Sequence, residues 1–217
     1  MRYLSSGTSY SFPVPTSADS SPRTPVVIEV FGHVSAQPGA VAKRFGAHFP
    51  GKAESTCDLA IFAVNPAAGI DAETIEAWQG LSAFQVPRLV VVTSLEGSEA
   101  DFDDAVLIAN RVFDQLITPY LVLHSESGSP VALISLETQQ ILDFTTNPSQ
   151  NIPSDLEHQD LISDFRDEYL EMIESSGEGA FEAGLLFPAI PLILENNLGV
   201  EIIESYIARI AESPGVS

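Results

Sequence analysis

Cysteine and cations are the scarce residues of this 217-residue chain. Cys57 stands alone, so no disulfide forms within the chain and no cysteine-based zinc site can be built. It precedes the apolar run DLAIFAV (58–64) and is expected to pack rather than react. Lys and Arg number nine against thirty Asp and Glu, for a formal net charge of −21. Affinity for nucleic acid and anionic lipid comes largely from basic side chains, so neither is expected as a direct partner. Apolar runs of membrane length are missing too: AGLLFPAIPLIL (183–194) is too short to span a bilayer. Residues 1–24 are rich in Ser, Thr and Pro and have no apolar core of signal-peptide length, which predicts a flexible arm. The expectation is a cytoplasmic chain without a membrane partner. The four histidines have no i,i+4 spacing and the serines no Gly-x-Ser-x-Gly setting, so neither a metal site nor a hydrolase triad is predicted.

What is present is enough apolar residue, 45%, for a full core. Three short runs without alternation, PVVIEVF (25–31), DLAIFAV (58–64) and RLVVVT (88–93), predict strands covered on both faces. Helical patterns follow the later two. Residues 71–84 put Ile75, Trp78 and Leu81 on one stripe, and residues 101–116 do the same with Val106, Ile108 and Val112. Asp101, Asp103 and Asp104 then sit where acids complement a helix dipole. The alternation of strand and helix predicts an α/β fold, a mostly parallel sheet flanked by helices, with a fourth strand at 119–124. After His124 the pattern changes. SGSPVALISLETQQILDFT (127–145) predicts two short strands around a turn. IPSDLEHQDLISDFRDEYLEMIESS (152–176) predicts one amphipathic helix, with Ser154 as N-cap and Glu157 completing a capping box. LLFPAIPLIL (185–194) resumes a buried strand and GVEIIESYIARIAES (199–213) closes as a helix. The predicted organisation is an α/β core over 25–124 and 185–214, interrupted by a small α+β insertion over 125–184.

The loop after the first run, IEVFGHVSAQPGAV (28–41), has the layout of a phosphate-binding loop: a strand, a glycine-containing turn, then small residues that open a helix. Further on, the resemblance becomes specific. GIDAETIEAWQGLSAFQVPRLVVVTSLEGSEADFDD (69–104) resembles the fourth strand, helix and fifth strand of the GTPase domain of elongation factor G and its translational relatives. Trp78, the Val86-Pro87-Arg88 triplet and Ala100-Asp101-Phe102 carry that match. Residues 128–144 and 152–173 resemble the subdomain that family inserts, and 188–214 its closing strand and helix, with Pro188, Gly199, Val200 and Pro214 in register. The resemblance implies a P-loop NTPase-like G domain, GTP or GDP with magnesium as ligands, and a role in translation.

The positions that would hold the nucleotide depart from the family. Its base-reading Asn-Lys-x-Asp is replaced by Thr93, Ser94, Leu95 and Glu96, and its closing Ser-Ala by Ile193 and Leu194. In the register beginning Gly32-His33, the family's Gly-Lys-Thr is replaced by Gln37, Pro38 and Gly39. Proline removes both the charge and its own backbone donor, and Gly39 offers no hydroxyl to magnesium. A rival register sets Glu29, Gly32 and His33 on the family's second switch. Topology favours the first, because the loop-bearing strand lies mid-sheet and the second and third strands lie at the edge. The expectation is a reduced G domain without edge strands and switches. Its vestigial nucleotide positions are Gly32, His33, Gln37, Pro38, Gly39, Thr93, Ser94 and Glu96, with no cofactor and no metal. The alternative is a divergent GTP or GDP binder with magnesium, or a weak GTPase, using Glu96 and backbone amides. Because the matching subdomain of elongation factor G contacts the ribosomal stalk protein, the resemblance implies a protein partner associated with the ribosome or translation. The acidic helix face Glu157, Asp160, Asp164, Asp167 and Glu171 is the predicted surface.

Overall fold

The chain is described by a computed structural model over residues 25–54, 56–95, 101–146 and 148–213; the arm 1–24, Glu96, Ala100 and Pro214 lie outside them. The three apolar runs fold as β1 (Ile28–Phe31), β2 (Leu59–Val64) and β3 (Arg88–Val92), and every residue of each is buried. Cys57 is buried just before β2, and burial pushes its thiol up to about 12. Between the strands run α1 (Pro38–Phe45) and α2 (Ala72–Ser82), and α3 (Phe102–Ala109) follows β3. Asp71 caps α2 by accepting from the Thr74 N–H at 2.8 Å. Asp101 and Asp104 form a reciprocal capping box on α3, which accounts for two of the three acids there. Trp78 and Leu81 are buried as their spacing predicts, while Thr74 rather than Ile75 completes the buried face. α3 stops well short of 116. Asn110 ends it, and the Asn110 side-chain oxygen accepts from the Leu116 N–H at 2.8 Å. The buried face of α3 is Phe102, Ala105, Val106 and Ala109.

The predicted fourth parallel strand at 119–124 is corrected. The parallel sheet is instead extended by the two-residue β4 (Leu116–Ile117), and β5 (Tyr120–His124) turns away. Pro119, between them, has no N–H to carry the ladder onward. β5 pairs antiparallel with β6 (Pro130–Ser135), which pairs with β7 (Gln140–Asp143), which pairs with β8 (Gln150–Pro153). Two helices and a strand follow: α4 (Leu156–Leu161), α5 (Ser163–Ser176) and β9 (Phe187–Pro191), before the closing α6 (Val200–Glu212). Among the described residues the sheets are a parallel one, ordered β1-β2-β3-β9-β4, and an antiparallel one, ordered β5-β6-β7-β8. This is the α/β fold with an insertion that the sequence predicts. Strand alternation divides the insertion. Ala132 and Ile134 pack with Ile162 and Tyr169 in a small core of their own, while Leu133 joins the main core.

The single helix predicted over 152–176 is two. Ile162, fully buried, ends α4 and begins α5. The cap is Asp155, which accepts from the His158 N–H at 2.9 Å, and not Ser154, whose hydroxyl donates to the Gln139 carbonyl.

β1 is the outermost strand of its sheet, and an open edge invites pairing with another chain. A short segment after α1 closes it. His48 donates to the Ile28 carbonyl at 2.9 Å and accepts from the Val30 N–H at 2.8 Å, and Gly51 donates to the Val30 carbonyl at 2.9 Å. The Glu29 carboxylate, 7% exposed, meets His48 Nδ1 and the Lys52 N–H, each at 3.2 Å. Only glycine fits at 51, because a Cβ there would stand 2.6 Å from the Val30 oxygen.

On the far side of the sheet, Arg88 is 2% exposed and lies 4.5 Å from the Trp78 ring centroid and 4.2 Å from that of Phe187. Its guanidinium donates to Ser82 Oγ at 2.6 Å and to Asp114 Oδ2 at 3.3 Å, and Trp78 Nε1 donates to the same Asp114 oxygen at 3.0 Å. This buried cation ties α2, β3, β9 and the turn after α3 together. Desolvation lowers the Arg88 pKa, and Asp114 opposes that shift. Asp114→Ala leaves the cation without its counter-charge and is expected to cost about 1–3 kcal/mol by chemical denaturation. The exposed pair Arg44–Glu204 at 2.9 Å is the control, and Glu204→Ala is expected to cost less than about 1 kcal/mol.

Candidate functional site

The carboxyl ends of parallel strands are where α/β folds bind ligands, and Gly32, Gln37, Thr93 and Ser94 lie there. β1 ends at Gly32, whose φ of +141° and close approach to the Ala63 backbone exclude any side chain. A 3₁₀ turn over Val34–Ala36 follows, then Gln37 in the left-handed conformation (φ 54°, ψ 42°), then Pro38 as the first residue of α1. Proline suits that position because its fixed φ is helical and its missing N–H leaves no donor stranded.

The turn consumes its own donors. The Ala36 N–H bonds the His33 carbonyl at 2.9 Å, the Gln37 N–H bonds the Val34 carbonyl at 3.1 Å, and the Ser35 N–H reaches His33 Nδ1 at 3.3 Å. Ser35 Oγ lies 2.8 Å from the same His33 nitrogen. Two side chains from the neighbouring strand ends hold the turn down. Thr93 Oγ1 donates to the Ala36 carbonyl at 2.9 Å and lies 3.4 Å from that of Val64. Asn65 Nδ2 donates to the Ser35 carbonyl at 3.0 Å, while its oxygen accepts from the Ala67 N–H at 2.9 Å. Asn65 is absent from the sequence expectation, because nothing in its local pattern marks a residue that reaches thirty positions back.

Beside this turn lies a cavity of about 240 Å³. Gln37 and Val41 form one wall, Thr93, Ser94 and Leu95 the floor, and Leu192, Ile193, Leu194 and Glu195 the other wall. Gln37, Thr93 and Ser94 therefore line the same space as the apolar pair Ile193 and Leu194. His33, exposed on the turn, and Gly39, exposed in the first turn of α1, do not line the cavity, and Glu96 lies outside the described residues. Among the described residues no Lys or Arg lines the space, and its one charged wall residue is acidic. A magnesium–polyphosphate needs a cation, free amide donors and a hydroxyl ligand. Pro38, the occupied amides and Gly39 do not fit that group. Among the described residues no group of three His, Cys, Asp or Glu gathers to hold a metal.

The predicted interaction residues all lie on α4 and α5, and all are exposed. Ile162 (φ −94°, ψ −1°) joins the two helices, with Glu157 and Asp160 on α4 and Asp164, Asp167 and Glu171 on α5. Leu161 at 70% and Phe165 at 53% exposure lie among these acids in sequence.

Comparison with known proteins agrees with this architecture. The sequence is 28% identical over 172 residues to an elongation factor G-like protein of Mycobacterium tuberculosis, in strains CDC 1551 / Oshkosh and ATCC 25618 / H37Rv alike. The match covers 68% of this chain. In sequence the chain is similar to elongation factor G-like proteins. It spans 23% of the length of those relatives. The crystal structure of ttk003000868 from Thermus thermophilus shares the fold, with a TM-score of 0.62 at 23% identity over 74% of this chain and 27% of that one. No protein-family model matches the chain.

Thr93→Val keeps the shape of the side chain and removes the donor that fastens the turn to β3. The expected loss is about 1–2 kcal/mol in chemical denaturation, with faster amide exchange at Ala36 and Gln37 than in the native chain.

Proposed function

We propose that the chain is a catalytically inactive relative of the translational GTPases that works in the cytoplasm as a protein-interaction or regulatory module. The observation that carries this reading is the internally closed turn over residues 33–37, running directly into Pro38. Phosphate cradles work by presenting unpaired backbone donors and a cation to an anion. Here the donors at 35, 36 and 37 are spent within the protein, and the cation is replaced by a residue with neither charge nor N–H.

The partner surface in this reading is formed by Glu157, Asp160, Asp164, Asp167 and Glu171 with Leu161 and Phe165. Dense like charge beside exposed apolar side chains suits a basic, partly apolar protein surface, of the kind that ribosome-associated proteins offer. A second reading, a divergent GTP or GDP binder using Glu96 and backbone amides, has the cavity beside Thr93 in its favour. Among the described residues no helix is long and apolar enough to cross a membrane.

One experiment separates the two readings. The chain is sedimented with ribosomes in the presence of GTP, of GDP and of neither, beside the variant Asp160→Lys/Asp164→Lys/Asp167→Lys. The expected outcome is association indifferent to nucleotide and weakened more than about tenfold by charge reversal, since like-charge juxtaposition costs several kcal/mol. Association that switches with the nucleotide supports the second reading, and none under any condition refutes ribosome association.

A further inference from the structure

A second cleft, of about 350 Å³, lies where the insertion meets the closing helix. It is built by Tyr120 and Glu137 at the ends of β5 and β6, Tyr169 on α5, and Tyr206 and Arg209 on α6, with Glu178 on the loop after α5. Tyr169 and Tyr206 are 9% and 8% exposed, and none of the three tyrosine hydroxyls bonds to a protein group among the described residues. Each hydroxyl is therefore left to solvent or to a ligand in the cleft. The one space these side chains share is the cleft they line.

The chemistry of the walls selects the ligand. Burial raises the phenols of all three, Tyr169 to about 12, so at neutral pH they are uncharged oxygens able to accept hydrogen bonds. Glu137 and Glu178 add two carboxylates. The single cation, Arg209, is already neutralised: its Nε donates to Glu182 Oε1 at 2.7 Å. The Arg209 guanidinium lies 5.1 Å from the Tyr206 centroid and 5.2 Å from that of Phe181, so this aromatic wall already accommodates a positive charge. Ile117, Ile173 and Leu186 supply apolar surface for an aliphatic stem. An acceptor-rich, net-acidic cleft with an aromatic side and an aliphatic floor matches a group that carries three donors and a charge at the end of a methylene chain.

We propose that this cleft binds an alkylammonium group, held by the tyrosine hydroxyls and Glu137. The site is separate from the turn over 33–37, so it stands or falls independently of the nucleotide reading. Two sources offer that chemistry, a free diamine or polyamine and the side chain of a lysine.

The test is calorimetric titration of the whole chain with 1,4-diaminobutane, with N-acetyl-lysine methylamide and with neutral 1,4-butanediol, at physiological salt. Salt at that strength screens the diffuse attraction of so acidic a chain for any amine. The expected result is one-to-one binding of an amine and none of the diol. Tyr169→Phe, which keeps the ring, and Glu137→Gln, which is exposed and does not threaten folding, are each expected to weaken it at least about tenfold. Glu76→Gln, exposed on α2 outside the cleft, is expected to leave it unchanged. Tighter binding of the diamine assigns a free amine as the ligand, and tighter binding of the lysine derivative assigns a protein side chain. Equal affinity across wild type, Tyr169→Phe and Glu137→Gln, or equal binding of the diol, overturns the proposal, as does no binding of either amine.

Discussion

The open side of β1 is the constraint from which most of the sheet domain follows. A parallel strand at a sheet edge leaves alternate N–H and C=O groups without partners, and natural folds cover or blunt such edges. Here residues 47–51 lie along β1 and take up the Ile28 and Val30 groups. The chain must therefore leave the carboxyl end of β1, make α1 and return to the same strand within residues 32–47. That short circuit leaves no length for a wide loop. The turn is tight, its amides close on its own carbonyls, and α1 starts at once on Pro38.

The same circuit sets the shape of the cavity beside it. Thr93 and Asn65, at the ends of β3 and β2, are committed to the carbonyls of Ala36 and Ser35 and so face the turn with their polar atoms occupied. What remains around the cavity is Gln37, Ser94, Glu195 and the apolar residues Val41, Leu95, Leu192, Ile193 and Leu194. The polar groups at these strand ends thus serve the fold. Function is carried by the site and not by the scaffold.

Much of this is legible in the chain. The unalternating runs at 28–31, 59–64 and 88–92 declare doubly covered strands, and the helices between and after them make the sheet parallel. The glycine turn and the helix start are legible too, because Gly32 and Pro38 occupy a backbone conformation and a helix position that suit their residue types. Other features are hidden. Leu116–Ile117 is too short to register as a run, so the apolar pattern assigns its place in the parallel sheet to Tyr120–His124. β8, all polar but for Ile152 and Pro153, exists because β7 offers it a ladder and not because of its own propensity. The cover over β1 has no period at all. The tyrosine cleft draws on positions from 120 to 209, and no local pattern connects them.

The central claim is that this site no longer holds a nucleoside triphosphate, and direct titration with GTP and GDP in magnesium buffer tests it most plainly. The account predicts no heat of binding up to millimolar nucleotide. Saturable binding in the micromolar range, dependent on magnesium, would contradict it.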